Sequence, residues 1–398
     1  MSTLHERLAA HVRAVADATD ESLWHATSDE IRSAAEASAP DLVEAERSSA
    51  GGAAAFDAEF VPPSARRAPD PDEVAATASQ GLEVLRGGGT PNDEQLVFAA
   101  AIVLRRERPA FDIVDGFFTD AVAPWQSLQQ DEALLRPRIR AVGRVRADSA
   151  PYGHVAGTGF VVGPNLLMTN RHVAKYFVDG VGQSPGDTLT LDLDEEASCD
   201  LLAEIGRTEQ RVLAFERVEL VHPYWDVAVL RVIGEPLADI TPLKLRATRP
   251  VDEEHVGDTV VVVGYPVEQY LRDRELRTIR QSVFGETFGV KRLMPGKLMA
   301  RFEATTSKPG GGRRTVPALG HDATTLAGNS GSAVIDSTSG DVVGVHYKGK
   351  ELDANFAVPS WEIARDTRFH DLGIDFTSGA IEAADPVVEA VWAEPRAQ

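Results

Sequence analysis

From Arg138 onward, apolar residues come in short runs cut by Gly, Pro, Asn and Asp, as in "TGFVVGPNLLMTN" and "DVAVLRV". This texture predicts strands over 139–146, 158–163, 166–169, 188–193, 210–221, 227–233, 260–265, 297–304, 331–336, 341–347 and 354–358. Short strands with no helical period between them imply an all-β barrel or sandwich. Upstream the period changes. Leu4, Leu8, His11, Val12 and Val15 fall on one helical stripe. "TPNDEQLVFAAAIVLRRERP" opens on Asn92 and Asp93 as a start signal and ends in arginines before Pro109, the charge order a helix dipole favours. A helical patch is therefore expected over about 74–107, and "SLQQDEALLRPR" reads as a short helix broken by Pro137. Ser360, after Pro359, is placed to cap a closing helix. "SSAGGAAAFDAEFVPPSARRAPDPD" collects breakers and reads as a linker. The expected organisation is a helical segment over 1–50, a Gly/Ala/Pro-rich linker over 51–73, a small helical region over 74–137, a mainly β domain over 138–375 and a loosely ordered acidic tail over 376–398.

Composition narrows the partners. With 398 residues, 43% of them apolar, the chain has the material for a full core and for more than one domain. Its formal charge of -21 repels phosphate backbones, so nucleic acid is not expected to bind. Cys199 is the single cysteine, which excludes an intramolecular disulfide and a Cys-rich metal site. "MSTLHERLAAHVRAVADATD" lacks the apolar core of a secretion signal, and no window approaches the length of a membrane span. A cytoplasmic location without membrane contact is the expectation. "DLDEEASCD" lacks the Gly turn and terminal Glu of a calcium loop and reads as a solvated acidic loop. "LRGGGTP" lacks the Lys-Ser/Thr ending of a phosphate loop and reads as a hinge. The ten histidines show no metal-ligand spacing. No cofactor and no metal are expected.

Three stretches carry chemistry. "TGFVVGPNLLMTNRHVA" ends a strand just before His172, where a rigid scaffold can present an imidazole as a general base. On its own, a histidine in a loop is more often structural. "HPYWDVAVLRV" sets Asp226 at the start of a strand apolar on both faces, where a carboxylate is costly unless hydrogen-bonded. An imidazole N–H is a fitting partner, and a turn-capping aspartate is the alternative. "AGNSGSAV" flanks Ser330 with Gly328 and Gly331, so the backbone can turn tightly and aim the Gly328 and Ser330 N–H groups at one spot. A lone "GNSG" is also an ordinary turn. His172, Asp226 and Ser330 nevertheless occur in that order inside one β region, separated by 226-172 = 54 and 330-226 = 104 residues.

"TNRHVA", "DVAVL" and "GNSGSAV" resemble the three catalytic boxes of the chymotrypsin-like serine peptidases, more specifically the bacterial trypsin-like and V8-like glutamyl endopeptidase group. "GDTVVVVGYP" is similar to the strand that opens the second barrel in that group. The resemblance spans roughly 138–372 and implies two orthogonal six-stranded barrels with the active site in the cleft between them, preceded by helices that resemble nothing recognised. Carried over box by box, it implies Ser330 as nucleophile, His172 as general acid/base, Asp226 as orienting carboxylate, and Gly328 with Ser330 as oxyanion-hole donors. It also implies a protein or peptide substrate. Glutamyl endopeptidases are similar in having a histidine in the strand after the nucleophile and a Thr or Ser five residues before it, which here fall on His346 in "GVHYKG" and Thr325. An imidazole and a hydroxyl can hydrogen-bond a substrate carboxylate without burying a permanent positive charge. Thus preference for Glu or Asp at P1 is the implied specificity. A small apolar P1 preference, or a peptidase-like binding module without turnover, are the alternatives. Either a cut before the peptidase region supplies a new N-terminal amine, or "SKPGGGRRTVPALGH", read as a mobile segment, orders the pocket by itself; His222 and His321 take turn or surface roles by default. A regulatory partner acting through the N-terminal helices completes the expectation.

Overall fold

The computed structural model describes residues 3–17, 31–32, 71–119, 121, 123–181, 189–251, 254–268, 273–308, 312–350 and 354–393. The expected linker lies outside the described residues as far as residue 70, as do 18–30 and 33–50 of the N-terminal segment and the last five residues of the tail. In chain order the helices are α1 (Leu4–Asp17), α2 (Pro71–Arg86), α3 (Asp93–Glu107), α4 (Gln126–Gln130), α5 (Glu132–Arg140), α6 (Arg171–Ala174), α7 (Arg274–Phe284), α8 (Ser360–Ala364), α9 (Thr367–Asp371) and α10 (Pro386–Trp392). The strands are β1 (Phe111–Asp112), β2 (Val142–Ala147), β3 (Val155–Gly163), β4 (Leu166–Thr169), β5 (Val178–Asp179), β6 (Thr190–Leu191), β7 (Ala197–Asp200), β8 (Val212–Val221), β9 (Ala228–Ile233), β10 (Thr259–Gly264), β11 (Arg292–Ser307), β12 (Arg313–His321), β13 (Ala333–Asp336), β14 (Val342–Lys350) and β15 (Ala354–Pro359). They divide into two compact units: Met1–Ala110 with Val122–Pro124 and Tyr270–Thr287, and Phe111–Ala121 with Trp125–Gln269 and Phe288–Gln398.

The first unit is helical. The stripe read from the sequence is the buried face of α1, with Leu8, Val12 and Val15 inside. α2 and α3 fill the helical patch expected over 74–107 as two helices, separated by a glycine turn and the Asn92 cap. Asn92 accepts from Gln95 N–H while the Gln95 side chain bonds back, a capping box that stops α3 from running upstream. Gly81 lets the two helices approach closely, because a Cβ there would lie 2.5 Å from the Gln95 carbonyl. A further helix of this unit, α7, comes from within the β region, where none was expected. Its Leu276, Ile279 and Val283 repeat at helical spacing and are buried, and Arg105 on α3 donates to the Ser282 carbonyl at 2.9 Å.

The second unit is mainly β. Strands β2, β3, β4, β9, β8 and β7 close into a six-stranded barrel. β3 is buried along its whole length, which explains why it reads as an unbroken apolar run instead of an alternation. A second sheet has seven strands in the order β1-β11-β10-β13-β14-β15-β12, with a further pairing of β11 to β12. The first part of β11 pairs with β10 and the second, from Leu298 onward, with β12, with a register shift in that second pairing between Leu298 and Arg301.

Several expectations are corrected. "RRTVPALGH" is strand β12, paired on both sides by β11 and β15, and not a mobile segment. The end of "DLDEEASCD" is β7, paired with β2 and β8. α5 runs through Pro137, which removes one backbone donor. Complete burial of Leu135 and near-complete burial of Ile139, roughly 1.5–3 kcal/mol each, offsets that loss. Ser360 does not cap α8, since its hydroxyl donates to the Arg246 carbonyl at 2.8 Å. The tail carries α10, capped by Asp385 and anchored through Val388 and Val391. No helix among the described residues is long and apolar enough to cross a membrane.

Candidate active site

His172 and Asp226 meet because β4 and β9 are antiparallel neighbours. Thr169 pairs with Ala228, so the three residues after β4 and the two before β9 emerge at one end of the barrel. There α6 begins with Arg171 and carries His172 in its first turn. His172 Nδ1 lies 2.7 Å from Asp226 Oδ2, and the His172 backbone N–H donates to Oδ1 at 3.0 Å. Both carboxylate oxygens are thus engaged by one residue. The Asp226 side chain is only 7% exposed and that of His172 39%, so the carboxylate is enclosed while part of the ring remains open.

Burial alone would raise the Asp226 carboxyl, but the charge and hydrogen bond of His172, with Arg171 and the backbone N–H, outweigh it and hold Asp226 below the usual carboxylate range. Burial likewise opposes a charged His172. The charge and hydrogen bond of Asp226 more than compensate, so the imidazole titrates above its ordinary value. Buried Arg171 donates to the His222 and Trp225 carbonyls at 2.8 and 3.1 Å, and Asn170 donates to the Asp226 carbonyl at 2.8 Å. The residues just before His172 therefore hold the backbone of the turn that carries Asp226.

Ser330 lies in the turn that leads into β13. Gly328 and Gly331 on either side have φ of +87° and +89°, a region that favours glycine. A Cβ on Gly328 would strike the Tyr265 carbonyl, and one on Gly331 would strike the Thr158 carbonyl and the Thr169 hydroxyl. Within the turn the donors alternate. Asn329 N–H reaches the Leu326 carbonyl and Gly331 N–H the His346 carbonyl, while among the described residues Gly328 N–H and Ser330 N–H donate to nothing. Thr158 on β3 ties the turn to the barrel, with its N–H on the Ser330 carbonyl at 2.8 Å and its hydroxyl on the Gly328 carbonyl at 2.7 Å. A Cβ on Gly157 would lie 2.7 Å from Val173 and 2.8 Å from the Ser330 carbonyl. The neighbour of His172 and the Ser330 backbone thus converge on this glycine. Ser330 is half-buried, and the His172 side chain is 39% exposed.

His346 is buried on β14, next to the same turn, with its Nδ1 3.1 Å from His321 Nε2. His321 is fully buried on β12 and not at a turn or the surface as expected, because β12 was read as loop. Burial pushes His321 down to about 4, and burial together with the charges of His321 and His172 pushes His346 well below its ordinary value. The pair is uncharged at neutral pH. Thr325 is half-buried, and its hydroxyl donates to Asn355 Oδ1 at 2.8 Å. His222, also expected at a turn or the surface, is completely buried and bonds Asp366. Tyr347 went unnoticed in the sequence. It is buried close enough to Asp226 for the carboxylate to help raise its phenol, although burial contributes more. Among the described residues no group of acidic, His or Cys side chains has the arrangement of a metal site.

Residues 157–345 match the model of a family described as a trypsin-like peptidase domain. His172, Asp226 and Ser330 all fall inside the match. A probable serine protease of Lysobacter enzymogenes is 28% identical over 320 residues, which are 72% of this chain and 79% of the relative. A glutamyl endopeptidase of Staphylococcus epidermidis is 27% identical over 217 residues, 52% of this chain and 58% of that protein. Among solved structures, the active form of a protease from M. tuberculosis is 20% identical, covers 68% of this chain and 98% of its own, and has a TM-score of 0.40.

Proposed function

Residues 157–345 are a trypsin-like serine peptidase domain, and from that premise we propose that the protein cleaves peptide bonds through an acyl-enzyme on Ser330, with His172 as general acid/base and Asp226 as its orienting carboxylate. The seven-stranded sheet, with β11 paired back to β12, is read as the second barrel of this fold. The observation that carries the reading is the enclosed Asp226 engaging His172 through both the ring and the backbone. With Nδ1–H given to Asp226, the neutral ring presents Nε2 as a base to the serine hydroxyl. Ser330 Oγ attacks the scissile carbonyl, His172 takes its proton, and the oxyanion accepts from the unspent Gly328 and Ser330 N–H groups. His172 then protonates the leaving amine. In the second half it deprotonates a water that frees the acid product and Ser330.

P1 preference for Glu or Asp is supported by the paired histidines. If His321 Nε2–H donates to His346 Nδ1, the neutral His346 is left with Nε2–H as a donor toward a substrate carboxylate. Thr325 is the weaker partner, because its proton is already given to Asn355. Cleavage of a peptide library separates the specificities. His346→Ala should lower cleavage after Glu far more than reaction with a small fluorophosphonate. Equal losses, or wild-type cleavage after small apolar residues, would reject the acidic P1 reading and leave the peptidase reading standing.

A further inference from the structure

Behind the turn that carries Asp226 lies a second imidazole–carboxylate pair, and we propose that His222 and Asp366 are positioning residues which, with Trp392 on α10, hold that turn in register with His172. The proposal rests on the reading of His172 and Asp226 given above. His222 Nδ1 accepts two successive backbone N–H groups, from Tyr224 at 3.0 Å and Trp225 at 2.9 Å. It is therefore the unprotonated nitrogen, and Nε2–H donates to Asp366 Oδ2 at 3.1 Å. That oxygen also accepts Trp392 Nε1–H at 3.2 Å. The imidazole is fully buried, stacked on Phe369 and met edge-on by Trp392. Burial drives His222 down to about 4 despite Asp366, so it stays neutral, with Arg171 and Arg368 as the cations facing it. Asp366 is in turn fixed by Arg368, whose guanidinium forks onto Glu389 of α10 at 2.9 and 2.9 Å.

These contacts make one continuous path. α10 holds Asp366 and His222, His222 holds the Tyr224 and Trp225 amides, and Arg171 and Asn170 hold the carbonyls of the same turn from the side of His172. Asp226 is the next residue. An error of about 1 Å in placing such a group costs on the order of 10²-fold in rate, so this support is a determinant of turnover as well as of stability.

The test compares full-length wild type with His222→Ala, His222→Asn and Trp392→Phe. It reads kcat, KM and the pH profile of kcat/KM, with fluorophosphonate titration counting competent Ser330. His222→Ala should lose about 10- to 100-fold in kcat with KM nearly unchanged. Its acidic limb should move to lower pH, because a loosened Asp226 no longer supports the charged imidazole. His222→Asn, whose side-chain oxygen can accept the same two amides, should restore most of kcat. Trp392→Phe keeps the ring, loses the N–H, and should shift the limb in the same direction by less. If His222→Ala does not fold, the Asn and Phe variants carry the comparison. Limbs that stay in place, or losses confined to KM or to the titrated fraction, overturn the positioning role alone. An unlabelled wild-type Ser330 overturns both this proposal and the triad reading.

Discussion

At the scale of single residues, the reading turns on the protonation of His172. The ring must be neutral to take the Ser330 proton, and Asp226 holds its titration above the ordinary value of 6.5. Activity should therefore fall as pH drops through a point above 6.5, visible as the acidic limb of kcat/KM. Asp226→Asn removes the charge that raises His172 and leaves burial and Arg171 to lower it. The limb should then move to lower pH while kcat falls about 10⁴-fold, as expected when the imidazole loses its orienting carboxylate. An unmoved limb would show that Asp226 does not control this imidazole. Gly328 is argued at the same scale, since a side chain there meets the Tyr265 carbonyl at a φ of +87°. Gly328→Ala should displace an oxyanion donor and cost about 10²- to 10³-fold in kcat, with KM little changed.

At the scale of elements, the local period identified strands well where they were short and apolar, as at Leu166–Thr169, which is predicted and found over the same residues. It failed where pairing comes from distant partners. β12 opens on two arginines directly after a glycine run that signals a loop in the sequence, and it is a strand because β11 and β15 flank it. α7 has a clear helical repeat, hidden by its place among strands. The site shows the same division. The proposed His172, Asp226 and Ser330 each stand in a compact local box, whereas Thr158 acts on Gly328 from 170 residues away and Asp366 on His222 from 144. Thr158 is the more instructive omission, because nothing around it marks it in the sequence. Thr158→Val removes the hydroxyl that holds the Gly328 carbonyl and accepts the Tyr265 N–H at 3.2 Å. It should lower fluorophosphonate reactivity at Ser330 while leaving KM for a peptide nearly unchanged, and a change in KM alone would argue against this role.

At the scale of the whole molecule, buried neutral histidines tie stability to pH. His222 and His321 are each held near 4, so between about 6.5 and 4 the unfolded chain binds protons the folded one refuses. The sign follows: the free energy of unfolding, and so stability, declines as pH falls through that window. Relief of repulsion within a chain of net charge -21 acts the other way. The comparison that isolates the histidines is therefore wild type against His321→Asn, whose urea unfolding should show a shallower decline from pH 7 to 4. Truncation before β1 that leaves rate and substrate range unchanged would count against an inhibitory role for the helical unit. The most direct test of the central claim surveys every side chain at once: incubation with a fluorophosphonate followed by mass mapping of the adduct. One equivalent on Ser330, formed faster as pH rises through the acidic limb and lost in His172→Ala, is the predicted result. No adduct, or an adduct on another residue, would contradict it.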